Sequence, residues 1–345
     1  MTTIAWSVAA AGRLMHRRGQ RVATRAETRR APDLVALSET IQAVEDNMTS
    51  IVQGKPEAVR LALIALLAEG HLLIEDVPGV GKTLLAKALA RSIDCSVARV
   101  QFTPDLLPSD VTGVTVYSPD TGAFEFKPGP VFANIVLGDE INRAGPKTQS
   151  ALLESMEERT VTIDGVTHGL AVPFLVMATQ NPIELEGTYP LPEAQRDRFM
   201  MRLAIGYPDA DGELAILRTH GHGDRLAQLK PVTDAAHIAK MIDEIRKVYV
   251  AESVERYIVA VCRATRVHDE VELGASPRAS LAMLRAVRAL AATEEREYVV
   301  PDDVKRLALH VLPHRLILKP EAQLAGRQPG EVVADVLAGV PAPTE

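Results

Sequence analysis

At 345 residues, with 47% hydrophobic, 24% charged and 4% aromatic side chains, the chain has an ordinary globular composition and exceeds what one hydrophobic core fills. A formal net charge of -7 and a pI near 5.8 leave no chain-wide electrostatic footprint for nucleic acid. The two cysteines, Cys95 and Cys262, lie far apart without Cys/His clustering, which speaks against disulfide and zinc frameworks and suits a reducing cytoplasm.

Residues 4–12 are apolar but too short to span a bilayer, and no charged region precedes them, so neither a membrane span nor a secretory signal is expected. From Arg13 to Arg30 the chain carries seven arginines against the single acid Glu27. This predicts a solvated, flexible basic extension over residues 1–33 rather than a nucleic-acid or membrane arm. Folding pattern starts at Leu34: Ile41, Val44, Met48, Ile51 and Val52 are spaced for an amphipathic helix, and residues 59–67 read as a second. Short apolar strands follow at 71–74, 97–102, 135–137 and 175–178, separated by helical or irregular stretches. That alternation predicts an α/β core with a parallel sheet covered by helices, over residues 34–207. Segments 113–117 with 124–127, and 160–163 with 170–173, flank turn signals and predict two hairpin inserts, at about 113–127 and 160–173. Beyond Gly206-Tyr207-Pro208-Asp209 the pattern turns helical, at 210–219, 233–248, 252–268, 277–294 and 301–312, giving a smaller all-α domain over 208–320. The Pro/Gly-rich residues 321–345 read as a loose tail.

The chemistry concentrates in three places. Leu72-Leu73-Ile74-Glu75-Asp76-Val77-Pro78-Gly79-Val80-Gly81-Lys82-Thr83-Leu84 reads as a strand, a glycine turn and a helix start, the pattern of a phosphate cradle. Backbone N–H groups and the positive helix end would surround phosphate, Lys82 would neutralise its oxygens, and Thr83 would hold Mg²⁺. Asp76 departs from the P-loop pattern, which has glycine there, while the helix-proximal half is intact. Next, the apolar run Ile135-Val136-Leu137-Gly138 ends in Asp139-Glu140, a carboxylate for the metal's water shell followed by one to polarise attacking water. Finally, Asn181 in Thr179-Gln180-Asn181-Pro182 stands at a strand's carboxyl end, where it could orient that water, although alone it would read as a turn former before proline.

With these elements in this order, the chain resembles the AAA+ superfamily and, specifically, its MoxR family, related to magnesium chelatase ATPase subunits. The resemblance rests on QFTPDLLPSDVTG (101–113), DEINRAGPKTQSALLESMEE (139–158), ATQNPIELEGTYPLPEAQRDRF (178–199) and SPRAS (276–280), and covers about 34–320. It implies a P-loop NTPase core with a helical lid and a Mg²⁺-dependent ATPase. Pro78, Gly79, Val80, Gly81, Lys82, Thr83 and Leu84 match Walker A, Asp139 and Glu140 Walker B, and Asn181 sensor 1. Val52 to Gly54 match the segment that holds adenine, Arg198 the arginine finger that reaches a neighbour's γ-phosphate, and Arg278 sensor 2. Without the family both arginines would read as exposed helix-end cations. Arg196, where relatives often carry an apolar residue, leaves open whether it assists Arg198. The hairpins resemble the helix-2 insert and the pre-sensor-1 hairpin, loops that can contact clients.

The resemblance further implies ATP and Mg²⁺ as ligands, a homo-oligomeric ring, expected hexameric, in the cytoplasm, and chaperone-like remodelling of a separate partner with a von Willebrand factor A domain. The alternative is a nucleic-acid-associated AAA+ motor or regulator, against which stand the acidic composition and the lack of an appended helix-turn-helix or zinc finger. A nucleotide-binding scaffold without hydrolysis would rest on Asp76, and intact Lys82, Glu140, Asn181 and Arg198 argue against it.

Overall fold

A computed structural model describes residues 34–77, 79–181, 188–208, 210–219 and 225–343. The basic extension over 1–33, Pro78 and the loose-tail residues 344–345 lie outside the described residues.

Helix α1 (Leu34–Thr49) turns Leu37, Ile41, Val44 and Met48 inward, the stripe expected of a 3.6-residue period. Helix α2 (Pro56–Leu67), started by a proline at its first turn, is buried along nearly its whole length. The core then runs β1 (Leu72–Glu75), α3 (Lys82–Ser92), β2 (Val97–Gln101), α4 (Pro108–Thr112), β3 (Gly113–Ser118), β4 (Ala123–Pro128), β5 (Ile135–Asp139), α5 (Pro146–Glu158), β6 (Thr160–Ile163), β7 (Val166–Gly169), β8 (Leu175–Gln180), α6 (Glu193–Arg196) and β9 (Met201–Leu203). Five strands pair in parallel in the order β2-β5-β8-β1-β9. Ile135, Val136, Leu137, Leu175, Val176 and Met177 are buried on both faces, which is why these strands read as continuous apolar runs.

Hairpin β3/β4 pairs from Gly113↔Pro128 to Ser118↔Ala123. Hairpin β6/β7 corrects the sequence reading, because its second strand is Val166–Gly169 and not 170–173. Asp164 (φ 50°) and Gly165 (φ 79°) form a two-residue turn with both φ positive, which pairs Ile163 directly with Val166. Phe126 of β4 stacks on His168 of β7 at 4.2 Å between ring centroids, so the two inserts pack on each other.

The second domain comprises α7 (Ala210–Thr219), α8 (Arg225–Gln228), α9 (Ala235–Ile245), α10 (Glu252–Val267), β10 (Val271–Leu273), α11 (Pro277–Thr293), α12 (Pro301–Val311), β11 (Ile317–Leu318), α13 (Pro320–Leu324) and α14 (Pro329–Gly339). To the expected helices it adds a small antiparallel ribbon, β10/β11. Residues 321–343 are not a loose tail. Val332, Val333 and Val336 of α14 are buried in the core, and the backbone N–H of Gln328 donates to the Glu331 carboxylate at 2.8 Å. The prolines that suggested disorder open α13 and α14 at their first turns, where a missing N–H costs nothing.

Candidate nucleotide site

The carboxyl ends of β1, β5 and β8 and the start of α3 surround a cavity of about 390 Å³. Gly79, Gly81, Lys82, Thr83, Leu84, Asp139, Glu140 and Asn181, all singled out from the sequence, line it. Gly79 and Gly81 sit at φ of 87° and 94°, which L side chains rarely adopt. A Cβ at either place would meet nothing within 4 Å, so the glycines leave an open cradle. Gly81 caps α3 without any side chain closing the first-turn N–H groups, and the helix's positive end faces this space. Such a cradle fits phosphate.

Lys82 Nζ donates to the Asp76 carbonyl at 2.6 Å. Burial holds its ammonium below the usual lysine value, against the pull of Asp76, Asp139 and Glu140. The Asp76 carboxylate accepts from the backbone N–H of Val77 at 2.8 Å and of Gly206 at 2.5 Å, tying the turn to the segment that leads into the second domain. That is a structural use for the residue that departs from the P-loop pattern.

Glu140 adopts φ 57°, a left-handed conformation uncommon for a non-glycine residue and of the kind that stores strain at reactive sites. Its backbone N–H donates to Thr179 Oγ1 at 2.9 Å. Its carboxylate accepts from Gln101 Nε2 at 2.7 Å, while Arg143 Nη1 lies 3.2 Å away. Asp139, 8% exposed, pairs with Arg99 Nε at 2.6 Å. Thr83 and Asp139, an oxygen-donor set in one cavity, fit Mg²⁺, which is bound through few protein oxygens plus phosphates and water. Arg99, Gln101 and Thr179 were missed by sequence reasoning. The signal present was the alternation of Arg99 and Gln101 along β2, but that β2 lies beside β5 is decided only by the folded sheet.

Arg198 and Arg278 are elsewhere. Both line a second cavity of about 350 Å³ together with Glu157, Arg159 and Arg285. Arg198 Nη1 donates to the Leu153 carbonyl at 2.6 Å, and its Nη2 lies 3.2 Å from Glu157 Oε2; Arg278 pairs with Glu157 Oε1. Buried Arg315 places this pair, donating to Asp197 Oδ1 at 2.7 Å and to the Phe199 and Met200 carbonyls at 2.7 and 3.0 Å. Ser276 Oγ donates to Asp197 Oδ2 at 2.7 Å, so the core segment holding Arg198 and the second-domain segment holding Arg278 share one carboxylate. Arg196 lines yet another cavity, with Arg327, and not the one that holds Arg198. Val52 is buried between α1 and α2, and Gly54 lines a cavity of about 440 Å³ with Lys55 and Ile205. Neither lines the cavity of Lys82.

The model of the ATPase family associated with various cellular activities (AAA) matches residues 71–201, and that of the AAA lid domain matches 263–336. YeaC of Bacillus subtilis strain 168 is 50% identical over 300 residues, 87% of this chain and 94% of that protein. Chaperone MoxR1 of Mycobacterium tuberculosis is 41% identical over 322 residues, 91% and 85% of the two chains. Protein MoxR of Methylorubrum extorquens is 32% identical over 326 residues, 87% and 94% of the two. A crystal structure of a Cytophaga hutchinsonii protein superposes with a TM-score of 0.86 at 40% identity, covering 90% of this chain and 97% of its own. The parallel five-stranded sheet, the cradle at its carboxyl edge, the helical lid and relatives matched along nearly their whole lengths lead to one conclusion: this chain belongs to the MoxR family of AAA+ ATPases.

Proposed function

We propose that this ATPase hydrolyses Mg²⁺-bound ATP at the interfaces of a homo-oligomeric, hexameric ring and uses the cycle for chaperone-like remodelling of a partner protein. The observation that carries the reading is a separation. The residues that would bind nucleotide and activate water line one cavity, while Arg198 and Arg278 converge on another. A second copy is what would bring Arg198 to the phosphates.

Within one site, Lys82 and the N–H groups of the cradle would hold phosphate oxygens, and Thr83 and Asp139 would hold the metal and its water shell. Glu140 accepts a proton from the attacking water, and Asn181 fixes that water's orientation. Mg²⁺ supplies neutralisation of charge on the phosphates. Arg198 from a neighbour stabilises charge developing in the transition state, and Arg278, fixed to the same Glu157, reports lid position to the same interface. Val52 to Gly54 would hold the base, with Pro78, Val80 and Leu84 completing the cradle. A partner with a von Willebrand factor A domain, engaged through the paired hairpins in a cytoplasmic setting, is the client expected from the family. The name of the Mycobacterium tuberculosis relative, a chaperone, supports this direction. Among the described residues no helix is long and apolar enough to cross a membrane.

The test is steady-state ATPase rate against protein concentration, with assembly followed by light scattering, for wild type, Glu140→Gln and Arg198→Ala. Activity per subunit should rise with assembly, both variants should lose it, and Glu140→Gln should still bind ATP. Activity that is independent of concentration and indifferent to Arg198 would sink the interface mechanism.

A further inference from the structure

On β2, two polar side chains face the two acids of the site. Arg99 Nε lies 2.6 Å from Asp139 Oδ2, its Nη2 donates to Gln101 Oε1 at 3.2 Å, and Gln101 Nε2 donates to Glu140 Oε2 at 2.7 Å. Of the other cations nearby, Lys82 Nζ is engaged by the Asp76 carbonyl and Arg143 Nη1 lies 3.2 Å from Glu140 Oε2. The carboxylate that would hold the metal's water shell thus carries a resident counter-ion from a strand assigned no role in the reaction.

We infer that Arg99 competes with the divalent cation for Asp139, and so makes metal binding conditional on the phosphates that arrive with it. The inference rests on the proposed reading of this cavity as a Mg²⁺–nucleotide site. A positive charge in direct contact with a carboxylate weakens that carboxylate's attraction for a metal's water shell, and repels the dication itself. The opposition is limited, because the Arg99 side chain is 53% exposed and a half-exposed pair is a weak one. A cation arriving on nucleotide gains phosphate oxygens and displaces Arg99 readily. A bare cation gains no phosphate oxygens, only protein oxygens such as those of Thr83 and Asp139, and against those the Arg99 charge counts. Arg99 is therefore a positioning residue that sets the metal threshold of the site without touching the reacting atoms.

The experiment uses Mn²⁺ as the probe, with binding read by electron paramagnetic resonance on the full chain free of nucleotide and again on the chain saturated with ADP. Without nucleotide, Arg99→Gln, which keeps a donor and deletes the charge, should bind Mn²⁺ about fivefold more tightly than wild type, a change of ~1 kcal/mol, and ADP should narrow that difference. Its ADP affinity in EDTA should stay within about twofold. Arg99→Lys, which keeps the charge, should remain near wild type, and Arg99→Gln combined with Asp139→Asn should lose the gain. Unchanged or weaker Mn²⁺ binding by folded Arg99→Gln overturns the inference, as does a lysine variant that behaves like the glutamine one. If wild type binds no ADP with or without metal, the reading of the cavity itself fails and takes the inference with it.

Discussion

Arg315→Met tests what holds the two domains in register. The arginine side chain is 2% exposed and its partner Asp197 is 19% exposed. Its guanidinium donates to Asp197 and to the carbonyls of Phe199, Met200 and Val311. Methionine fills similar space with no donor, so Asp197 retains the Ser276 hydroxyl, the Met200 and Val311 carbonyls lose the arginine's N–H groups, and the Phe199 carbonyl keeps only His314 Nε2, 3.0 Å away. Removing one member of a buried pair costs about 3–5 kcal/mol, and the partial exposure of Asp197, which lets water reach it, puts this case at the lower end, ~3 kcal/mol. Against a total stability on the order of 5–15 kcal/mol, that loss is large. Urea-induced unfolding followed by far-UV circular dichroism should report it, and ATPase activity should fall because Arg198 and Arg278 both hang from this clamp. A double-mutant cycle with Asp197→Asn should give a coupling of about 1–3 kcal/mol. A cost below ~1 kcal/mol for Arg315→Met, additive with Asp197→Asn, would refute the clamp.

Two further outcomes are expected. Restoring the P-loop glycine with Asp76→Gly should destabilise the chain by about 1–2 kcal/mol and weaken nucleotide binding, because two half-buried N–H groups lose a charged acceptor; thermal melts and ADP titration check this, and a neutral or stabilising result would count against it. Buried His71 donates from Nε2 to the Met156 carbonyl and accepts at Nδ1 from the Val176 N–H, and burial lowers its pKa to about 3. The unfolded chain binds that proton near pH 6.5, so the stability His71 contributes is full above 6.5 and drains as pH falls toward 3, by about 2 kcal/mol at pH 5. An imidazole NMR titration should show His71 still neutral at pH 5, and a midpoint near 6.5 would sink this assignment.

The sequence by itself determined the cradle, the two acids at the end of β5 and the succession of strand and helix, because each is a local pattern: glycines where φ is positive, apolar runs where both sheet faces are covered, proline at helix starts. It marked the Asp-Gly turn of the β6/β7 hairpin but began the second strand four residues late, and it took residues 321–343 for a tail because first-turn prolines resemble disorder until the valines that follow Pro329 find a core to enter. What only the tertiary structure decided are contacts between residues remote in sequence. Arg99 reaches Asp139 because a crossover sets β2 beside β5. Asp76 reaches Gly206, 130 positions away, and Arg198 meets Arg278 on Glu157 because the second domain docks through Arg315 and Asp197. No spacing rule carries such information: strand order and domain docking are fixed by which buried surfaces and charges satisfy one another once the chain has closed, and those pairings leave no period in the sequence.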